Sequence, residues 1–153
     1  MLTLTSEYAL RALICLTRRE EEWPLSGKEL ARESGVPAKY LSTILANLTR
    51  HGVLSATRGK SGGFRLARPA KDVTLHAVLL PFERFDTKRC PFGNVQCSEE
   101  NPCLGHAGWL KVVEARMRFL RKTTLHDVAV PQRAARERYD APRRSYSKRS
   151  KPV

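Results

Sequence analysis

The chain has 153 residues, is 41% hydrophobic, and carries 28 Lys and Arg against 15 Asp and Glu, which gives a net charge of +13. This charge favours a polyanionic partner, and nucleic acid is the first candidate. Its length allows one domain with an ordinary core, or one domain and a tail. It has no apolar run of about 18 residues and begins with no signal-peptide pattern, which predicts a cytoplasmic protein without a membrane span.

The first two helices are predicted from periodicity and capping. Apolar residues recur at helical spacing over residues 6–18, and the segment 19–24 then interrupts the pattern. Ser26 and Glu29 have the spacing of a capping box at the start of a second helix, which Gly35 is expected to end.

A third helix is predicted over residues 37–51, because Pro suits a first helical position and Gly52 is a suitable terminator. Two helices joined by a short turn, the second with a donor-rich outer face, are typical of a helix-turn-helix motif. An ordinary helical hairpin with a solvated face would show the same pattern. The outer face contains no acid and consists of Lys39, Tyr40, Ser42, Thr43, Asn47 and Arg50.

Two short strand-like runs, 53–57 and 64–67, flank a basic and glycine-rich segment. Glycine permits positive φ and lets backbone N–H groups approach a phosphate closely, while the basic side chains supply charge. After a helix-turn-helix, such a hairpin is interpreted as a wing that reaches the minor groove; the alternative is a flexible solvent hairpin. Its candidate DNA-binding residues are Arg58, Lys60, Ser61, Gly62 and Gly63.

Three further helical segments are predicted in the second half. The first follows Thr74 and should kink or end early at Pro81. A long amphipathic helix over 104–122 comes next, and 124–128 adds a short helical turn. The apolar stripe of the long helix could pack within one chain or against a second copy, and dimerisation is the favoured interpretation. The stripe consists of Trp109, Leu110, Val113, Met117 and Leu120.

Before the long helix, a polar segment contains Cys90, Cys97, Cys103 and His106. Three cysteines among polar residues cannot all be core residues, and thiolate and imidazole are ligands for soft and borderline metals. In a reducing compartment they indicate metal or redox chemistry rather than a disulfide framework. Gaps of six and five residues do not provide the short Cys-x-x-Cys units usual in zinc sites. The spacing favours an iron–sulfur cluster over zinc and leaves metal-free thiol sensing open.

The C-terminal residues 131–153 contain 8 Lys and Arg, 2 acids and almost no apolar side chain, which predicts a disordered basic tail. The predicted organisation is a winged helix-turn-helix domain at 1–82, a cluster-binding loop at 83–106, a dimerisation helix at 107–130 and this tail. The predicted fold class is mainly α with a small β-hairpin wing and a long C-terminal dimerisation helix.

Several blocks resemble the Rrf2 family of winged-helix regulators: LTLTSEYALRAL, VPAKYLSTILANLTRHGVLSATRGKSGGFRLAR, and CLGHAGWL followed by FLRKTTLHDV. The similarity extends over about residues 1–130. It implies a homodimer, crossed by the long C-terminal helices, that binds a near-palindromic operator in double-stranded DNA. Iron–sulfur members of this family include a cluster-assembly repressor and a nitric-oxide sensor.

The resemblance also implies a ligand set. The three cysteines match the family's cluster ligands in order, and His106 matches the histidine ligand of the assembly repressor. Glu7 lies where the nitric-oxide sensor has an acidic ligand from the other subunit, so it competes with His106 for the fourth position. Histidine, the preferred ligand, points to a two-iron cluster, and a carboxylate would point to a four-iron cluster.

Two positions lie outside that pattern. Ser42 stands where the assembly repressor has a glutamate used in base selection, which leaves operator preference open. Cys15 matches no ligand, and its place inside the first helix predicts a core residue.

These features predict a DNA-binding transcriptional regulator, expected to be a repressor, whose operator affinity depends on an iron–sulfur cluster that senses redox, iron or nitric oxide status. The alternative is a metal-free winged-helix repressor controlled by a small molecule or a partner protein. A redox enzyme is the third class, and it is disfavoured because the chain contains no Rossmann or P-loop fingerprint. We therefore expect no enzymatic activity.

Overall fold

The computed structural model describes residues 2–85, 92 and 98–129. β1 and β2 pair as an antiparallel hairpin. The described chain is therefore mainly helical with a two-stranded wing, as predicted. Its elements in chain order are α1 (Leu4–Arg18), α2 (Gly27–Ser34), α3 (Ala38–Arg50), β1 (Leu54–Thr57), β2 (Gly63–Leu66), α4 (Leu75–Leu79), α5 (His106–Lys122) and α6 (Leu125–Ala129), with short 3₁₀ turns at Glu20–Glu22 and Ala70–Asp72.

Side-chain caps determine where the first helices begin. Thr3 caps α1 by accepting a hydrogen bond from the amide of Ser6 at 3.2 Å, so the helix begins two residues before the predicted start. The predicted capping box of α2 is present, with the amide of Ser26 donating to Glu29 Oε2 at 2.8 Å. Hydrogen bonds from Ser26 to the charged carboxylate lower the pKa of Glu29.

Glycine and proline determine several helix ends. Gly35 adopts φ 67° at the end of α2, a left-handed conformation that glycine tolerates without steric cost. Pro37 is the N-cap of α3, with φ −57° and ψ 130°, and not the first helical residue that the sequence predicted. α4 ends at Leu79, which confirms the early end expected from Pro81.

The core forms around α1, which packs against α2, α3, α4 and α6. The base of the wing joins this core through a pair of backbone hydrogen bonds: the amide of Leu25 donates to the carbonyl of Phe64 at 3.0 Å, and the amide of Phe64 donates back at 2.8 Å. This pairing extends the hairpin onto the segment before α2 and fixes the orientation of the wing relative to the helices. Fully buried core side chains include Leu13, Leu16, Leu30, Leu41, Ile44, Leu45, Leu48, Leu79 and Leu125.

α5 packs against α4 along only part of its predicted apolar stripe. Val113 and Leu120 are buried, whereas the other three stripe residues are half-buried. Two apolar side chains outside the predicted stripe, Val112 and Phe119, are 56% and 57% exposed. Leu120 and Leu125 belong to the same core as α1 to α4, so the end of α5 packs on the winged-helix domain.

No helix within the described ranges is long and apolar enough to cross a membrane. The predicted basic tail, 131–153, lies outside the described residues, as do Cys90 and Cys97.

Candidate functional site

The outward face of α3 contains the donors that the sequence singled out. Two of its polar groups are already engaged within the helix: Ser42 Oγ donates to the carbonyl of Lys39 at 3.0 Å, and Asn47 Oδ1 accepts from Arg50 Nη1 at 3.0 Å. Both bonds are exposed and can exchange for contacts with a ligand. Of the predicted DNA-binding residues on α3, Lys39, Tyr40, Ser42 and Thr43 are exposed, and Asn47 is half-buried.

The tip of the wing is exposed and basic. Arg58, Lys60 and Ser61 are all exposed, and Gly59 turns the chain with φ 109°, in a region that side chains rarely adopt. The tip therefore presents two cationic side chains next to open backbone, as a wing entering a DNA groove requires.

Gly62 and Gly63 serve close packing rather than positive φ, which corrects the reason given for them from sequence. A Cβ atom on Gly62 would lie 2.2 Å from the carbonyl oxygen of Thr57, and one on Gly63 would lie 2.5 Å from the carbonyl oxygen of Leu25. Both glycines are half-buried and hold the hairpin against itself and against the segment before α2.

Beside the N-terminal turn of α3, two aromatic rings come together in a contact that sequence reasoning missed. The rings of Tyr8 on α1 and Tyr40 on α3 are 6.2 Å apart between centroids and tilted by 43°. The guanidinium carbon of Arg11 lies 6.0 Å from the centroid of the Tyr8 ring. No local sequence signal links these residues, because the two tyrosines are separated by a complete helix and two connections.

Ion pairs are confined to one part of the described chain. Arg19 pairs with Glu22 and Glu33, and Arg32 lies 3.4 Å from Glu33. Hydrogen bonds from Arg19 lower the pKa of Glu33. Within the same described ranges, the basic side chains of α3 and the wing have no acidic partner within ion-pair distance, so their charge stays available for a polyanion.

Cys103 and His106 adjoin each other where α5 begins. The amide of His106 donates to the carbonyl of Cys103 at 3.0 Å, and His106 is the first residue of the helix. Both side chains are half-buried, and the Nε2 atom of His106 is shielded from solvent. A partly shielded thiol and imidazole on residues joined by a backbone hydrogen bond have the donor chemistry of an iron–sulfur or zinc site.

The segment that leads into the cysteine loop is anchored on α1. Glu83 Oε1 accepts a 2.7 Å hydrogen bond from the amide of Thr3 and a 2.6 Å hydrogen bond from Ser6 Oγ. Burial alone would raise the pKa of Glu83, but these hydrogen bonds, with the charge of Arg116, lower it below its ordinary value. Nearby, the ring of Phe85 lies 5.0 Å from His76 on α4 and 5.6 Å from the guanidinium of Arg116 on α5.

The remaining candidates occupy more peripheral positions. Glu7 is exposed in the first turn of α1. Cys15 is half-buried at the edge of the core rather than inside it, so its assignment as a core residue was only partly right. Its thiol donates to Glu33 Oε2 at 3.6 Å, and burial together with that carboxylate raises the pKa of Cys15.

The arrangement of helices and wing agrees with comparisons of the whole sequence. The model of the Rrf2 family, described as an iron-dependent transcriptional regulator, matches residues 2–131. The chain belongs to the Rrf2 family. The Rrf2 protein of Nitratidesulfovibrio vulgaris is 31% identical over 134 residues, which cover 83% of this chain and 85% of the relative. The transcriptional regulator IscR of Serratia proteamaculans is 27% identical over 128 residues, 83% of this chain and 77% of that protein.

Solved structures share the fold of this Rrf2-family chain. The global cysteine regulator CymR of B. subtilis superposes with a TM-score of 0.70 at 24% identity, over 84% of this chain and 95% of that one. IscR of T. potens superposes with a TM-score of 0.68 at 24% identity, over 84% of this chain and 85% of that one. These structures share the fold, and the family match shows that the protein is a winged-helix transcriptional regulator of the Rrf2 and IscR type with a DNA-binding domain. Regulators of this family are not enzymes, as predicted from the sequence.

Proposed function

We propose that this Rrf2-family regulator is a homodimeric repressor that binds a near-palindromic operator and whose affinity depends on an iron–sulfur cluster. The observation that carries the proposal is the position of Cys103 and His106 at the start of α5, a helix that packs on α4 and ends in the core around α1. A change at the ligands therefore acts on a helix in direct contact with the DNA-binding domain.

DNA recognition in this proposal uses two surfaces. The exposed side chains of α3, Lys39, Tyr40, Ser42 and Thr43 with Asn47 behind them, face the major groove. At the wing, Arg58, Lys60 and Ser61 reach the minor groove, while Gly62 and Gly63 hold the hairpin in shape. Each phosphate that a basic residue neutralises contributes about −0.9 to the slope of log affinity against log salt.

The cluster would be held by Cys90, Cys97, Cys103 and His106, with Glu7 as the competing fourth ligand and a two-iron form favoured over a four-iron one. When bound, the group supplies a metal centre whose state responds to redox conditions, iron or nitric oxide. This chain's own contribution is to hold Cys103 and His106 together through the backbone hydrogen bond at the start of α5. A coupling of about 1–3 kcal/mol between cluster and operator would change affinity by about 5–150-fold.

Dimerisation in this proposal uses α5. Val112 and Phe119 are seven residues apart, so they lie on one side of the helix, and that side is not covered by α4. We expect a second copy to cover them. In a Val112→Asp, Phe119→Asp double variant, light scattering should give the mass of a monomer. Arg121→Asp is the control, because Arg121 lies on the opposite side of the helix from Val112 and Phe119. This variant should still give the mass of a dimer.

Two measurements test the cluster and its ligands. Anaerobically purified protein should show visible absorbance of an iron–sulfur centre, and Cys103→Ser should abolish it. His106→Ala should shorten the cluster lifetime more than Glu7→Ala does; the reverse order would transfer the fourth position to Glu7. A colourless protein with unchanged operator affinity would support the metal-free repressor instead.

Operator recognition is tested by selecting duplexes from a random-sequence pool with the wild-type protein. The selected duplex should bind more tightly than a scrambled one of the same composition. Arg58→Ala should cost about 1–3 kcal/mol if the side chain reads a base edge, and less, with a uniform loss, if it contacts phosphate. Selection that recovers no preferred sequence would refute operator recognition.

A further inference from the structure

Resting on the proposed DNA recognition, we propose that the operator-binding surface extends from α3 onto α1. Tyr8 is a positioning residue that holds the ring of Tyr40 against the recognition helix, and Arg11 contacts the phosphate backbone beside it. The three side chains form a continuous row, from the Tyr40 ring to the Tyr8 ring at 6.2 Å and from there to the Arg11 guanidinium at 6.0 Å. We call this row the Tyr40–Arg11 row.

Tyr40 lies in the first turn of the recognition helix. It is the third residue of α3 and is 59% exposed. In helix-turn-helix proteins the N-terminal part of the recognition helix contacts base edges, so Tyr40 occupies the turn that enters the groove. An exposed tyrosine rotates freely about its side-chain bonds, and reading a base with it costs the entropy of fixing one rotamer.

Tyr8 reduces that cost. It is half-buried on α1, a helix whose position is fixed by packing against α2, α3, α4 and α6. Tilted aromatic pairs with centroids between about 4.5 and 7 Å apart attract each other beyond the area that they bury. The ring of Tyr8 therefore restricts Tyr40 before DNA arrives, so less entropy is lost on binding the correct sequence.

Arg11 is the third member of the row. It lies three residues after Tyr8 on the same face of α1, and its guanidinium lies over the Tyr8 ring, 6.0 Å from the ring centroid. Glu7 is four residues before it, yet the two form no ion pair, and Arg11 has no other acidic partner among the described residues. An exposed arginine held on an aromatic face, next to a helix in the major groove, is placed to contact the phosphates that border the groove.

The experiment measures affinity for two duplexes over a series of salt concentrations: the duplex that the wild-type protein selects from a random pool, and its scrambled counterpart. Arg11→Ala should weaken both by the same factor, about 3–10-fold, and should reduce the salt slope by about 0.9. Arg118→Ala, an exposed arginine on α5, removes the same charge and should change neither affinity by more than about twofold.

Tyr8 is tested by its effect on discrimination between the duplexes. Tyr8→Leu retains apolar volume but loses the ring, and should weaken binding to the selected duplex about 3–10-fold with little change for the scrambled one. Tyr8→Phe should retain wild-type discrimination. In a Tyr40→Leu background, Tyr8→Leu should cause no further loss, because the two rings act as one unit.

The outcomes separate the two proposals. If the wild-type protein selects no sequence, operator recognition fails and the role of the row fails with it. If the wild type discriminates but Arg11→Ala matches Arg118→Ala, then Arg11 does not contact phosphate. If Tyr8→Leu lowers both affinities equally, or if Tyr8→Phe is as damaged as Tyr8→Leu, then Tyr8 does not position Tyr40.

Discussion

The carboxylate of Glu83 connects the segment before the cysteine loop to the N-terminus of α1, and its removal should destabilise the fold. Its Oε1 atom accepts from the amide of Thr3 at 2.7 Å and from Ser6 Oγ at 2.6 Å, and Ser6 is fully buried. Hydrogen bonds to a charged acceptor contribute about 1.5–3 kcal/mol each. At the lower end the two bonds together would contribute about 3 kcal/mol, and because the bond from Thr3 is exposed we expect Glu83→Ala to cost about 2–3 kcal/mol.

The assay is thermal unfolding followed by circular dichroism at one protein concentration. A loss of about 2–3 kcal/mol corresponds to a melting temperature lower by about 5–10 °C for a chain of this size. Glu83→Gln keeps an acceptor oxygen without the charge and should cost about half as much. Glu21→Ala is the control, since Glu21 is exposed and makes no side-chain hydrogen bond or ion pair with any described residue. It should change stability by less than about 0.5 kcal/mol.

The pH dependence provides a second measurement. The pKa of Glu83 in the folded chain lies below its ordinary value, because the hydrogen bonds from Ser6 and Thr3 outweigh the effect of burial, which raises it. A carboxylate with a lowered folded-state pKa contributes its full stability above the unfolded-state pKa of about 4.3 and loses it as the pH falls through the folded-state pKa. Wild type and Glu83→Gln should therefore differ most near neutral pH and converge in acid.

A double-mutant cycle identifies the partner. Ser6→Ala and Glu83→Ala should together cost less than the sum of the single variants, because each removes the same hydrogen bond. A stabilising role for Glu83 is refuted if Glu83→Ala melts at the same temperature as Glu21→Ala. The shared hydrogen bond is refuted if the two variants at Ser6 and Glu83 are strictly additive.

Three further predictions concern other parts of the chain. Gly63→Ala should lower stability by about 2 kcal/mol or more and weaken DNA binding, because its Cβ would lie 2.5 Å from a backbone carbonyl oxygen. Gly27→Ala is the control, since a Cβ there would make only ordinary contacts at 3.8 Å. Thermal unfolding of both variants tests this, and equal melting temperatures would contradict it. In a variant whose only cysteine is Cys15, Glu33→Gln should increase the rate of thiol alkylation at pH 8 several-fold. Burial and the Glu33 carboxylate raise the pKa of the thiol, so removing the carboxylate increases the reactive thiolate. An unchanged alkylation rate, measured by mass spectrometry, would count against the contact. Removing residues 131–153 should leave the melting temperature unchanged while weakening binding to scrambled DNA, and a destabilised truncation would show that the segment packs on the domain.

Local signals in the sequence were enough to determine most of the elements. Ser26 and Glu29 form the predicted capping box, and α4 ends before Pro81 as expected. Such signals work because capping and proline sterics depend on residues three or four positions apart. The donor-rich face of α3 follows from the 3.6-residue period in the same way. The metal-ligand chemistry of the cysteine loop stays a prediction from residue types, since Cys90 and Cys97 lie outside the described residues.

Only the tertiary structure decided which distant residues meet. Glu83 accepts hydrogen bonds from Ser6 and Thr3 across nearly 80 positions, and nothing in either segment signals the partner. The Tyr8 and Tyr40 contact depends on how α1 crosses α3. The predicted stripe of α5 was only partly buried for the same reason, because the short α4 covers one side of a longer helix. Periodicity identifies a face, but the packing of whole helices determines what that face contacts.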